Sequence, residues 1–222
     1  MSSLEVLEYE TGPNPVASVI VLHGLGADGR DFVSFVDELK LGPVGPVRFL
    51  FPNAPEMPVT INGGYVMRAW YDILVTDLGR REDESGLRQS QRLVDALVRR
   101  ERERGIPANR IVLGGFSQGC AMTLMSGLRQ GERLAGLAGL SGYLPLADTT
   151  EAEAHAANRD VPIFLVHGTE DPVIPLARAE ASRDLLLALG YDVEWHQYPM
   201  PHSVCRDEVR DLNRWLLDVL AR

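Results

Sequence analysis

The stretch that decides the fold is IVLGGFSQGCAMTLMSGL, from Ile111 to Leu128. Apolar Ile111–Leu113 reads as a strand and Cys120–Leu128 as a helix, with only a tight turn between them. That turn is Gly115-Phe116-Ser117-Gln118-Gly119, a G-x-S-x-G. A serine at the centre of such a turn sits in strained backbone geometry, and the flanking glycines leave room for close approach. The turn lifts the hydroxyl above the C-terminal edge of a sheet and aims a helix N-terminus at it. Free N–H groups there can stabilise a developing oxyanion. The pattern predicts a nucleophile at Ser117.

Working outward, the same alternation runs through the chain. Ser18–Leu22, Val47–Phe51, Leu134–Leu140, Pro162–Val166 and Val193–Gln197 are short apolar runs. Amphipathic stretches at Asp83–Glu103, Ala177–Leu189 and Asp207–Leu220 read as helices, and Gly190 closes the second as a C-cap. Continuous apolar strands suit a sheet covered on both faces, which is the parallel case. Right-handed crossovers then give a doubly wound α/β fold. No repeat or low-complexity linker interrupts it, so residues 1–222 read as a single domain. The charged runs Arg81–Glu84 and Arg99–Arg104 read as a helix start and a solvated helix face.

Two segments break the alternation. Pro52–Tyr71 is rich in Pro, Gly and Asn yet carries Met57, Val59, Ile61, Val66, Met67 and Trp70. A long loop with that much apolar area packs over something, often a ligand. Leu144–Asp160 reads as a surface excursion with a short helix.

Composition narrows the classes. The chain has 222 residues, 45% hydrophobic and 24% charged, with a formal net charge of -9. That acidity argues against nucleic-acid binding, which needs a basic footprint. Two cysteines cannot form a disulfide framework. No apolar run approaches the roughly 18–20 residues that span a bilayer, and MSSLEVLEYE resembles no secretory signal. The expectation is a cytoplasmic protein, monomer or homodimer.

A nucleophilic serine needs a base and an orienting acid, in the chain order Ser, Asp or Glu, His. Asp171 lies just past the strand PIFLV, where open α/β sheets build their sites. Glu170 is its adjacent rival, but Pro172-Val173-Ile174-Pro175 marks the loop after Asp171 as a shaped turn. Of five histidines, His23 and His167 end strands and read as loop-shaping, His155 as exposed, and His196 lies within the last strand. His202 alone falls between the last strand and the final helix, which is where the base belongs. The loop after the first apolar strand, Leu22-His23-Gly24-Leu25-Gly26, supplies a second oxyanion donor at Leu25 N–H beside that of Gln118. Gly24-Leu25-Gly26-Ala27-Asp28-Gly29 is also a literal G-x-G-x-x-G. A dinucleotide-binding module is therefore the competing class, but no acid ends the next strand at Phe51-Pro52-Asn53 to hold a ribose.

Seven stretches, LHGLGADGRDF (Leu22–Phe32), FPNAP, VTINGG, MRAWYDI, GFSQG, HGTEDPVIP and YPMPH, together resemble the phospholipase/carboxylesterase family of α/β-hydrolases. The resemblance runs from about Val19 to the C-terminus. It implies hydrolysis of short-to-medium acyl esters, with Ser117, Asp171 and His202 as triad and Leu25 and Gln118 as oxyanion donors. No metal is expected, since no His/Cys/Asp cluster has ligand spacing, and no organic cofactor is implied. It also implies that the segment matching residues 52–71 borders the acyl groove, with Trp70, Val59 and Met67 as substrate-contacting candidates. Acyl-protein thioesterase or lysophospholipase activity is the alternative within the same chemistry. Two departures stand beside the triad: Cys120 and Pro201 each replace an expected glycine, which bears on pocket size. Cys120 lies in the first turn of a helix, where a thiol's pKa tends to fall, so the choice is between a reagent-accessible thiol and an inert buried residue.

Overall fold

The computed structural model describes residues 4–76 and 79–221; residues 1–3, where MSSLEVLEYE begins, lie outside the described residues. In chain order, β1 (Val6–Glu10) and β2 (Ala17–Leu22) precede α1 (Phe35–Glu38) and β3 (Val47–Pro52). Two antiparallel hairpins follow, β4 (Glu56–Val59) with β5 (Tyr65–Arg68), then β6 (Ile73–Thr76) with β7 (Gly79–Glu82). Regular alternation takes over with α2 (Glu84–Glu103), β8 (Ile111–Phe116), α3 (Gln118–Leu128) and β9 (Gly136–Leu140). It continues through α4 (Ala147–Glu153), β10 (Ile163–Gly168), α5 (Leu176–Ala188), β11 (Val193–Tyr198) and α6 (Arg206–Leu220).

The apolar runs pair in the order β1-β3-β2-β8-β9-β10-β11. All neighbours are parallel except β1, which runs antiparallel to β3 along one edge. This is the α/β-hydrolase arrangement, a mostly parallel sheet with helices on both faces. α2, α3 and α5 contribute Leu87, Val94, Leu124 and Leu186 to the core on one face. Val36 of α1 and Leu212, Trp215 and Leu216 of α6 pack on the other. Because β2, β8, β9, β10 and β11 are parallel, their C-terminal ends lie along one edge, and the loops leaving that edge are neighbours.

The structure departs from the sequence reading around the edge strand and the hairpins. β1 was not expected: its Val-Leu-Glu-Tyr-Glu is half-exposed and charged, as befits an edge. Pro52–Tyr71 is not plain loop but carries the β4–β5 hairpin and a 3₁₀ turn at Thr60–Asn62. Arg81 and Glu82, read as a helix start, belong to β7; the helix begins one residue after Asp83, whose carboxylate caps Gly86 N–H at 3.0 Å.

The turn from β8 into α3 is crowded at its glycines. A methyl group on Gly119 would overlap the carbonyl of Leu22 on β2, and one on Gly115 would overlap the carbonyl of Gly119. Gly119→Ala should therefore force β2 and α3 apart. Overpacking a filled site costs roughly 1–3 kcal/mol and each kcal/mol is worth about 2–4 °C in a protein of this size. A fall of about 5 °C in the thermal unfolding midpoint is expected by calorimetry; an unchanged midpoint would show that the contact relaxes freely.

Candidate active site

Ser117 caps α3 with φ 58° and ψ -116°, a conformation that non-glycine residues rarely adopt. Holding it costs of order 1–3 kcal/mol, which the surrounding structure must supply. Ser117 N–H donates to Leu140 O on β9 at 2.9 Å, so the turn is fixed to the neighbouring strand. Only 8% of Ser117 is exposed.

The three candidates from separate loops meet. His202 Nε2 lies 3.0 Å from Ser117 Oγ, and His202 Nδ1 lies 2.7 Å from Asp171 Oδ2. A carboxylate at Nδ1 fixes the proton there, leaving Nε2 to accept from the serine hydroxyl. The other oxygen, Asp171 Oδ1, accepts N–H bonds from Val173 at 2.8 Å and Ile174 at 2.9 Å. Burial alone would raise the Asp171 pKa, but the His202 bond and the two backbone N–H groups outweigh it and hold it below the usual carboxylate range. The acid therefore stays ionised wherever a histidine is neutral. Glu170 points into solvent and takes no part. His167, fully buried, bonds Ile174 O through Nε2 at 2.8 Å and sits 3.3 Å from Asp171 Oδ2, shaping that loop. His155 is exposed and caps a 3₁₀ turn, and His196 pairs with Glu194 at 2.8 Å.

The early loop completes the site. A Cβ on Gly24 would lie 3.3 Å from Ser117 Cβ, so Gly24 lets this loop approach Ser117. Leu25 and Gln118 both line the same cleft as Ser117 and His202. Among the described residues, neither the Leu25 N–H nor the Gln118 N–H meets a protein acceptor. Two free donors beside a serine–histidine pair can bind an oxyanion. The dinucleotide reading fails here: Gly29 opens only the single 3₁₀ turn Gly29–Phe32, with no long helix to face a pyrophosphate. Gly29 is instead pressed against Phe51 O, 2.5 Å from where its Cβ would lie, and its N–H bonds Asn53 Oδ1 at 2.8 Å.

The cleft encloses about 440 Å³. Phe32, Phe116, Ile61, Ile73 and Ile174 give it apolar walls, while Asp72, Arg81, Glu82 and Arg178 line a polar side. Arg178 stacks 3.4 Å over the ring of Tyr143, whose hydroxyl is 2.9 Å from that of Tyr71. Tyr143 and Arg178 were not singled out from sequence; the available signal was that Tyr143 follows the C-terminal end of β9. Among the described residues no cluster of His, Cys, Asp and Glu has the makings of a metal site, and no helix is long and apolar enough to cross a membrane.

A hydrogen-bonded serine, histidine and buried aspartate at the C-terminal edge of such a sheet define a serine hydrolase. The phospholipase/carboxylesterase family profile matches residues 6–220, and the chain belongs to that family, whose members act on carboxylic ester bonds. It is 40% identical to acyl-protein thioesterase 1 of Yarrowia lipolytica over 90% of both chains. It is 41% identical to the protein of that name from Neurospora crassa, over 93% of this chain and 88% of the other. Among solved structures, Arabidopsis thaliana SOBER1 superposes with a TM-score of 0.86 at 31% identity, covering 92% of this chain and 99% of that one. Esterase PE8 does so with a TM-score of 0.81 at 28% identity over 98% of each.

Three residues expected to touch substrate do not line the cleft. Trp70 is 1% exposed, its ring turned into the core so that Nε1–H donates to His23 O at 2.9 Å. Val59, paired with Tyr65 beside the turn of the hairpin, is wholly buried. Met67 packs against Asn62, whose amide lies 3.3 Å from its sulfur. From the 52–71 segment the cleft takes Ile61, Asn62 and Tyr71 instead. Neither departure from the family pattern narrows it either: Pro201 is exposed outside the lining, and Cys120 is buried against Gly139 and Gly142.

The helix N-terminus does not activate Cys120. Burial pushes its thiol far above the ordinary range, because a thiolate there would be desolvated. Cys205 is partly exposed at the N-cap of α6. Titration of the native protein with a thiol reagent should modify Cys205 alone, with the second thiol reacting only on denaturation. Rapid modification of Cys120 in the folded protein, read by peptide mass, would contradict its burial.

Proposed function

We propose that Ser117 attacks an acyl carbonyl while His202 takes its proton, Asp171 holding the imidazole in the right tautomer. The N–H groups of Leu25 and Gln118 bind the oxyanion of the tetrahedral intermediate. His202 then returns the proton to the leaving group, and water, activated by the same histidine, hydrolyses the acyl-enzyme. The observation that carries this reading is the 3.0 Å and 2.7 Å line from Ser117 through His202 to Asp171, opening on a cleft with apolar walls.

The substrate class is an acyl ester or thioester of short-to-medium chain, with the acyl group against Phe32, Phe116 and Ile61. Relatives named acyl-protein thioesterase 1 favour a thioester of an acylated protein as a second substrate, and the same machinery serves both, because thiolate is the better leaving group. The two free cysteines suit the reducing environment of the cytoplasm.

Ser117→Ala should reduce hydrolysis of a p-nitrophenyl ester by about 10³-fold or more, and Asp171→Asn by about 10³–10⁴-fold through the wrong imidazole tautomer. Glu170→Gln should stay within about twofold of wild type, as an exposed group outside the site. A fluorophosphonate probe should label Ser117. Retained turnover in Ser117→Ala, or greater damage from Glu170→Gln than from Asp171→Asn, would overturn the assignment. A panel of oxyesters and thioesters of graded chain length, ranked by kcat/KM, decides which bond is preferred.

A further inference from the structure

The two free N–H groups beside Ser117 come from distant parts of the chain, and one residue outside the cleft holds both parts. Trp70 Nε1–H donates to His23 O at 2.9 Å, next to the loop that carries Leu25. Trp70 N–H donates to Gln118 Oε1 at 3.0 Å, and Gln118 Nε2 donates to Tyr71 O at 2.9 Å. Ser90 Oγ on α2 bonds Trp70 O, anchoring the clamp to the body of the protein.

The His23 ring transmits the constraint. Ala54 N–H donates to His23 Nε2 at 3.0 Å, so in the neutral ring the proton resides on Nδ1 and is given to Gly24 O at 2.7 Å. Gly24 O and Leu25 N–H belong to one planar trans peptide and point in opposite directions, so holding the carbonyl sets the direction of the N–H. The Trp70 and His23 rings pack with centroids 5.4 Å apart.

We propose that Trp70 is a positioning residue for the oxyanion site, aligning the Leu25 and Gln118 N–H groups through His23 and the Gln118 side chain. The proposal rests on the assignment of those two donors made above. Removing the indole N–H frees the His23 carbonyl, so the 23–24 peptide and the His23 residue that holds Gly24 O can shift, carrying the 24–25 peptide with them. A developing oxyanion is sensitive to such small misplacements, whereas ground-state substrate binding is not.

The test compares wild type with Trp70→Phe and with 3-benzothienylalanine at position 70, which puts sulfur in place of the indole N–H with little change of outline. Active sites are counted with a fluorophosphonate. Each protein then gives kcat and KM for a p-nitrophenyl ester and Ki for a trifluoromethyl ketone, whose hydrated adduct places an oxyanion in the site. The expected result is a kcat per active site lowered about tenfold, equivalent to about 1.4 kcal/mol, with KM within twofold and Ki raised in parallel. Unchanged kcat and Ki in the isosteric variant would overturn the proposal. So would a loss confined to the number of active sites, which marks a purely structural role. Wild type that neither labels at Ser117 nor turns over would remove the parent assignment itself, a result distinct from a variant matching an active wild type.

Discussion

The reach of Ser117 depends on how closely the backbone of α3 can approach β2. With no side chain at Gly119, the first turn of the helix rests on the Leu22 carbonyl. With none at Gly115, the chain can reverse within the five residues from Gly115 to Gly119. Those contacts hold the serine at φ 58°, where its hydroxyl stands clear of the sheet. The strain is local, but its support is spread over three adjacent strands: β8 carries the turn, β9 receives the Ser117 N–H and β2 forms the floor. The same register brings the ends of β2, β8, β10 and β11 to one edge, so that loops at Gly24, Ser117, Asp171 and His202 share a small volume.

Much of this is legible in the amino-acid sequence. The β-branched and apolar runs became the parallel strands within a residue or two, because strands in the interior of a covered sheet are mostly apolar. The Ile111–Leu113 run is the exception at its end: β8 continues through the glycines to Phe116. The serine, acid and histidine were legible because each follows a strand, and strand ends are where a parallel sheet gathers loops. Asp171 was preferred to Glu170 because the prolines after it marked a shaped turn, and within that turn its Oδ1 accepts the N–H groups of Val173 and Ile174.

What escaped the sequence depended on contacts between distant residues or on charged strands. β7 reads Gly-Arg-Arg-Glu, and hairpin pairing rather than apolar content makes it a strand. β1 is an edge strand with only one neighbour, so it needs no alternation. Trp70 shows the limit most plainly. An aromatic in a loop beside the cleft has the same sequence signature whether it faces substrate or core, and the carbonyl that decides the matter belongs to His23, which only the fold brings near.

Asp171 performs two tasks with one carboxylate. Oδ2 orients His202, and Oδ1 gathers the N–H groups of Val173 and Ile174, both of which border the cleft. The acid and one wall of the pocket are therefore a single mechanical part. Divergence of specificity within such a scaffold is thus channelled: the hairpin at Thr60–Asn62 and the strand at Ile73 can vary while leaving the hydrogen bonds from Ser117 through His202 to Asp171 untouched. Remodelling of 172–175 carries the histidine's orientation along with it, so new pocket shapes should arise on the hairpin side more readily than on the aspartate side.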